Sequence, residues 1–178
     1  NGNDRVNIGR TAPIHTGGFS NTFAYKGIDL NVFLQWSYGN DILNVNKAFF
    51  EGNQSSRILL NQFASYQDRW TEDNTSSKIF RANGGGPAGV YSTRLIEDGS
   101  FLRLKTVALG YTLPKRLTSK AKISTVRLSV SGQNLFTWTK YSGMDPEVSV
   151  RHSILTPGLD WSSYPRMRTF VFGAQVTF

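Results

Sequence analysis

The chain has 178 residues, a formal net charge of +8 and no cysteine. Its length suffices for one domain with a sizeable core, and the missing cysteine excludes disulfides and thiolate metal sites. Mean hydropathy is −0.32 and no apolar run approaches the ~20 residues of a membrane helix, yet polar and apolar residues that alternate along a membrane strand would cancel in such an average. The first residues, Asn1-Gly2-Asn3-Asp4-Arg5, lack a start methionine and an apolar stretch, so they have no signal-peptide character. The expectation is a mature or cut chain, or one that is not exported.

Taken in chain order, the first element is a strand over about 19–25, where Phe19, Asn21, Phe23 and Tyr25 alternate with Ser20, Thr22 and Ala24. Lys26-Gly27 has the length of a tight hairpin turn, with Gly27 supplying positive φ. The next strand, 28–38, carries the clearest period of two. Ile28, Leu30, Val32, Leu34, Trp36 and Tyr38 form one face, against Asp29, Asn31, Phe33, Gln35 and Ser37. A very long connection follows, Asn40–Ser100. Within it Leu59, Phe63, Tyr66 and Trp70 recur at helical spacing, which predicts a short amphipathic helix near 57–70. Asn83–Gly89 is glycine-rich and reads as a flexible or tight irregular turn.

The strand 101–113 places Val107, Leu109 and Tyr111 on one face with Arg103 and Lys105, so a change of register or a departure from the apolar zone is expected in its first half. Pro114–Ser124 is a moderate turn. Strand 125–138 sets Val126, Leu128, Val130, Phe136 and Trp138 against Arg127, Ser129, Ser131, Gln133 and Thr137. After a long connection, Lys140–Arg168, strand 169–178 sets Phe170, Phe172, Ala174, Val176 and Phe178 against Thr169, Val171, Gly173, Gln175 and Thr177.

Antiparallel order puts both shorter connections at one end and both long ones at the other, the asymmetry of an outer-membrane barrel with short periplasmic turns and long extracellular loops. Trp36, Tyr38, Phe136, Trp138 and Phe170 fall towards one end, and Tyr25, Tyr111 and Phe178 towards the other, as two interfacial aromatic belts require. Five strands cannot close a membrane barrel, whose smallest examples have about eight. An open sheet would expose unpaired backbone groups to lipid, so the chain is expected to be part of a longer barrel or an oligomer, unless the strands belong to a soluble fold.

At this point the sequence resembles a family. Gly17-Gly18-Phe19-Ser20-Asn21-Thr22-Phe23-Ala24-Tyr25-Lys26-Gly27, then Tyr38-Gly39-Asn40-Asp41-Ile42, look like the SusC/RagA family of TonB-linked outer-membrane proteins. So do Arg94–Lys105, Leu109-Gly110-Tyr111-Thr112-Leu113-Pro114, Ser131–Gly143 with Asp145-Pro146-Glu147, Tyr164-Pro165 and the terminal Thr169–Phe178. The blocks run in family order from Asp4 to Phe178; Tyr66–Asn83 and Arg151–Ser163 match least. The resemblance implies an all-β fold, the last five antiparallel strands of a barrel of about 22 strands. It also implies an N-terminal plug and TonB-binding segment that this sequence does not contain. A SusD-like surface lipoprotein would act as the lid partner, and oligosaccharides or peptides would be imported with energy delivered through TonB.

Several residues invite functional readings. Phe170, Phe172, Val176 and Phe178 resemble the C-terminal signal by which the barrel-assembly machinery recognises its clients; the plainer reading is a final strand ending in the aromatic belt. Trp70, Tyr91, Tyr141, Trp161 and Tyr164 lie in long connections, where flat rings could stack on sugars, pack the loop or touch the lid. Arg127 and Gln133 face the polar side, as lumen-lining or plug-bonding groups. Glu97-Asp98-Gly99 and Asp145-Pro146-Glu147 lack the six or more oxygens of a calcium site; Asp98-Gly99 reads as turn chemistry. Lys115, Arg116, Lys120 and Lys122 sit in one turn without an acid, which suits anionic inner-leaflet lipid or simple solvation. No stacking or groove-reading residue accompanies them, so nucleic acid is not expected. His15 and His152 have no metal-ligand or triad context, so neither catalysis, metal nor cofactor is expected. Competing readings are a soluble glycan-binding β-domain, whose apolar faces would turn into a core, a passive porin-like barrel, and a TonB-dependent siderophore receptor without these motifs.

Overall fold

The structure, a computed structural model, describes residues 5–51, 61–82, 92–148 and 156–178. Two compact units divide the chain. One comprises Ile14–Tyr38, Ser100–Thr139 and Pro165–Phe178; the other comprises Asn1–Pro13, Gly39–Gly99 and Lys140–Tyr164. No described helix is long and apolar enough to cross a membrane, which says nothing of strands.

The first unit is a five-stranded antiparallel sheet. Its strands are β1 (His15–Tyr25), β2 (Ile28–Tyr38), β5 (Phe101–Thr112), β6 (Thr125–Thr139) and β8 (Thr169–Thr177), in the spatial order β1-β2-β5-β6-β8. β1 begins four residues before the alternation suggests, because glycines at 17 and 18 hide the pattern while their backbones pair with Trp36 and Gln35. The Trp36 ring lies across Gly17 where a Cβ would stand. Lys26 and Gly27 both have positive φ, 47° and 86°, as a two-residue turn matched to the strand twist requires.

The expected change of register in β5 is a bulge at Lys105. Thr106 faces Phe33 but Leu104 faces Leu34, so Lys105 is the extra residue against β2. On the other side two residues of β6, Asn134 and Leu135, oppose it, with Asn134 in the left-handed region at φ 52°. Inserting one residue into β5 switches its parity. Val107, Leu109 and Tyr111 pair with Val32, Leu30 and Ile28, while past the bulge Leu104 and Leu102 pair with Leu34 and Trp36. One apolar face thus continues across the sheet, and Arg103 moves to the other face. There it is buried, with its guanidinium over the Phe101 ring.

The second unit holds elements the alternation did not reveal. β3 (Asp41–Asn44) pairs antiparallel with β4 (Ile96–Asp98) and parallel with β7 (Leu159–Asp160), in the order β4-β3-β7. A one-and-a-half-turn helix, α1 (Val45–Phe50), follows β3 directly. Among the described residues of this unit, the buried apolar side chains are Ile42, Val45, Leu95 and Tyr141. The predicted helix at 57–70 is corrected in its described part. Only Ala64–Asp68 is helical, as a 3-10 turn, and Phe63 instead donates its N–H to the Phe50 carbonyl at 2.8 Å. Leu59 and Asn83–Gly89 lie outside the described residues.

Candidate functional site

Three surfaces carry chemistry. The first is the apolar face of the sheet. Cross-strand register joins Phe23, Leu30, Leu109, Val130 and Phe172 in one row, and Gly17, Trp36, Leu102 and Trp138 in another. Within this unit the face stays uncovered: Phe19, Tyr25, Tyr38, Phe136, Trp138, Phe170, Phe172 and Phe178 are all exposed. A soluble β-domain would turn such a face into a core, because exposed apolar area costs about 25 cal/mol per Å². Aromatic pairs gather at one end. His15 stacks on Tyr38 with centroids 5.2 Å apart, and Phe136 lies against Trp138 at 4.7 Å. The Trp36 indole N–H donates to His15 Nδ1 at 3.2 Å. Tyr25 and Tyr111 stand at the opposite strand ends, paired through Ile28.

The second surface is the polar face of the same sheet. Arg127 on β6 makes a bidentate ion pair with Asp29 on β2, Nη1 to Oδ1 at 2.6 Å and Nη2 to Oδ2 at 2.8 Å. The guanidinium reaches across β5 because Gly110 leaves its path open; any Cβ there would collide with Arg127 and Asp29. Arg127 Nη1 also donates to Thr112 Oγ1 at 3.4 Å. The clamp therefore ties three strands on the polar side. Beside it Asn31 donates to Ser20 and Thr22 of β1 at 3.3 and 2.9 Å. Arg127 thus has a carboxylate of its own sheet as partner, a pairing that 98 residues of separation hid from the sequence.

The third is the polar interior of the second unit. Glu97, weighed from sequence only as a loop-edge carboxylate short of a calcium site, is its hub. Its carboxylate accepts hydrogen bonds from Asn44 Nδ2, Lys47 Nζ, and the Ser142 N–H and hydroxyl, all at 2.9 Å. Burial works to raise its pKa, but the bonds from Lys47, Ser142 and Asn44 outweigh burial and hold the carboxyl below its ordinary value. Glu51, which is buried, accepts from Ser65 Oγ at 2.7 Å and from Arg94 at 3.2 Å. Asp145 is buried and caps its own turn by accepting the Glu147 N–H at 2.9 Å.

The loop aromatics separate on the structure. Tyr141, a candidate for substrate or lid contact, is 6% exposed and donates its hydroxyl to Asp160 at 2.5 Å. Burial first, then that hydrogen bond and the charges of Asp160 and Glu97, push its phenol well above the ordinary range and keep it protonated. Trp161 is half-exposed and stacks on Phe49 at 5.5 Å. Tyr164 is 81% exposed. Trp70 is half-buried, its backbone N–H donated to the Ile79 carbonyl at 2.9 Å. Tyr91 lies outside the described residues. Phe170, Phe172, Val176 and Phe178 all lie on or beside β8 and are exposed.

No protein-family model matches the chain. It is 38% identical over 183 residues to the TonB-dependent receptor P3 of Formosa agariphila, covering 98% of this chain and 17% of that protein. It is 34% identical over 180 residues to receptor P26 of the same organism, covering 98% and 18%. Over 168 residues it is 32% identical to the TonB-dependent receptor SusC of Bacteroides thetaiotaomicron, covering 90% and 15%. The chain therefore spans less than a fifth of the length of these relatives. Its fold superposes on the solved RagAB peptide transporter with a TM-score of 0.79 at 31% identity, covering 94% of this chain and 17% of that one. The open-open state of the RagAB peptide importer gives 0.78 at 32%, again with 94% and 17% covered. On sequence and fold together, the chain belongs to the SusC/RagA family of TonB-dependent outer-membrane receptors, and its antiparallel sheet matches a stretch of such a receptor's barrel.

Proposed function

We propose that this chain forms part of the barrel wall and outer loops of a TonB-dependent nutrient importer in the Gram-negative outer membrane, of the kind found in Bacteroidetes. The observation that carries the reading is the continuous apolar face of the five strands, kept in phase by the Lys105 bulge and left uncovered within its unit. Lipid is the solvent such a face needs. The sheet would lie at the C-terminal end of a barrel of about 22 strands, with its polar face, including the Asp29–Arg127 clamp, towards plug and lumen. It takes part in transport and catalyses no reaction.

A SusD-like surface lipoprotein is the proposed partner of the long connections, and TonB energises the whole receptor through its N-terminal part. Of the candidate loop aromatics that are described, Trp161 and Tyr164 have rings available to a lid or a solute; Trp70 is less so. The imported solute is a peptide or an oligosaccharide. Peptides come first for testing because the RagAB relative is a peptide transporter. β8, with Phe170, Phe172, Val176 and Phe178 on alternate positions of an edge strand, is the strand we assign to recognition by the barrel-assembly machinery.

The test is a pull-down from detergent-solubilised outer membranes through a tag in an outer loop, read by intact mass. A receptor on the order of 100 kDa, as a 19.9 kDa segment covering 17% of a relative implies, should emerge with a lipoprotein. The complex should bind peptides or oligosaccharides, and uptake should stop when TonB is removed. Uptake that persists without TonB would instead indicate a passive porin-like barrel. A lone soluble chain would return the glycan-binding β-domain.

A further inference from the structure

The connection between β5 and β6 is a built structure rather than a slack turn. Pro114, at φ −60°, precedes a short helix, α2 (Lys115–Thr118), which runs into a 3-10 turn, Ser119–Ala121. Lys122 closes it in the left-handed region at φ 57°. Thr118 is buried, the Leu113 N–H donates to Val126 O at 2.9 Å and the Ser124 N–H to Thr177 O at 2.8 Å. The β1–β2 turn is bonded to the same sheet end, Thr112 N–H to Gly27 O at 2.7 Å.

What this end displays is one-sided. Lys115, Arg116, Lys120 and Lys122 are exposed, and Lys26 stands over the Tyr25 ring at 5.1 Å. No acid occurs between Thr112 and Val126. Among the described residues no carboxylate pairs with any of these five cations, and the nearest acid in the sheet, Asp29, is held by Arg127. Amid the cations Leu117 is 63% exposed. Purely solvated turns gain nothing from an exposed leucine or from uncompensated like charges. Tyr25, Ile28 and Tyr111 end the sheet's apolar face at this same end.

Apolar strand face, tyrosines, then leucine and cations is the sequence of chemistries met on leaving a bilayer through its interface. We propose that Lys26 and the 113–124 connection form a docking surface for anionic phospholipid headgroups of the adjoining, periplasmic leaflet, with Leu117 entering the acyl boundary. Charge complementarity and continuity with the lipid-facing strands select a lipid over a soluble polyanion, which would leave Leu117 and the tyrosines without a role. The inference rests on the proposal that this sheet crosses the membrane.

The experiment uses the full-length receptor in mild detergent, titrated with phosphatidylglycerol or phosphatidylcholine and read by native mass spectrometry. Replacing Lys115, Arg116, Lys120 and Lys122 together by Gln should weaken phosphatidylglycerol binding at least tenfold, given roughly fivefold per cation at a membrane surface. Phosphatidylcholine binding should not change, and the difference should shrink with added salt. Equal phosphatidylglycerol binding by the variant overturns the inference. So does displacement of the lipid by millimolar inorganic phosphate, which would mark a free-phosphate site, or capture of an acidic periplasmic protein in place of lipid. Heat-modifiable migration reports folding. If the quadruple variant does not fold, K120Q and L117S alone should each lower phosphatidylglycerol affinity several-fold, and no change in either overturns the inference. A wild-type receptor that cannot be recovered as a heat-modifiable membrane barrel defeats the underlying reading; a proper barrel with charge-insensitive lipid binding defeats this inference alone.

Discussion

The two units of this chain solve opposite problems with the same residue alphabet. The sheet keeps its apolar side chains outside: Phe19, Phe23, Phe136, Phe170 and Phe172 are more than half exposed, and its one ion pair with both partners in strands, Asp29–Arg127, sits on the polar face. The unit built from the long connections keeps a small apolar centre, Ile42, Val45 and Leu95, and beside it hydrogen-bonded carboxylates, Glu51 and Asp160 buried and Glu97 part-buried. A sheet solvated by lipid needs no apolar core of its own, whereas loops in water must make one from few residues and fix the rest with polar networks. The comparison locates stability differently in each: in solvent matching for the sheet, in packing and polar satisfaction for the loop unit.

The strongest way to break that comparison is in the loop core. Leu95→Ala should cost the loop unit about 2–5 kcal/mol, seen as faster hydrogen exchange in peptides from 39–49 and 92–99. Exchange in β2 and β6 should stay unchanged. Exchange that rose equally in the strands would show that the units do not stabilise themselves separately. On the sheet, Val32→Arg should cost about 2–4 kcal/mol in a bilayer, the penalty for a cation near the middle of a lipid face. Measured as folding of the full-length receptor into vesicles, it should exceed the cost of Ser129→Arg on the polar face. Parity of the two would remove the membrane reading.

Glu97 sharpens the contrast by pH. Glu97→Gln should cost roughly 1.5–3 kcal/mol, the scale of a hydrogen-bonded charge. Because the folded carboxyl titrates below its ordinary value of 4.5, its contribution is complete above that value and lost as pH falls through the lower folded one. The wild type should therefore lose loop protection on acidification below about pH 4.5, and the Gln variant should lose less over the same range. Gly110→Ala should disrupt the Asp29–Arg127 clamp by collision and lower the temperature at which the receptor loses its heat-modifiable form. Asp29→Asn should lower it less, since the side chains still fit. The smallest effect is expected at Trp161. Its replacement by Ala should leave stability within about 0.5 kcal/mol, as for an exposed position. If the ring meets a lid or solute, it should weaken the lipoprotein complex or solute binding measurably by calorimetry.

Much of the sheet was legible in the chain. The alternation in Ile28–Tyr38 marks β2 at both its ends, and the phase conflict of Arg103 and Lys105 with Val107 signalled the bulge. The aromatic face of β8 was plain from Phe170, Phe172 and Phe178. The loop unit was not legible in the same way. Strands of four, three and two residues are too short to show a period, and β3 meets β7 through a parallel pairing of Leu43 with Leu159. Phe63, Tyr66 and Trp70 mimicked a helical stripe, but Phe63 is claimed by Phe50, at 5.2 Å between rings. Tyr141 looked like any loop aromatic until Asp160 was brought to its hydroxyl.

The sequence by itself determined which strands have a lipid-compatible face, where the turns fall, and to which family the motifs point, because these follow from period, turn residues and local order. Tertiary structure alone decided that Lys105 is the inserted residue, opposed by Asn134 and Leu135, that Arg127 reaches Asp29 over Gly110, and that Glu97 and Tyr141 serve the interior of the loop unit. Each of those depends on contacts between residues far apart in the chain, and a side chain's partners across such distances are set by register and packing, which no local pattern encodes.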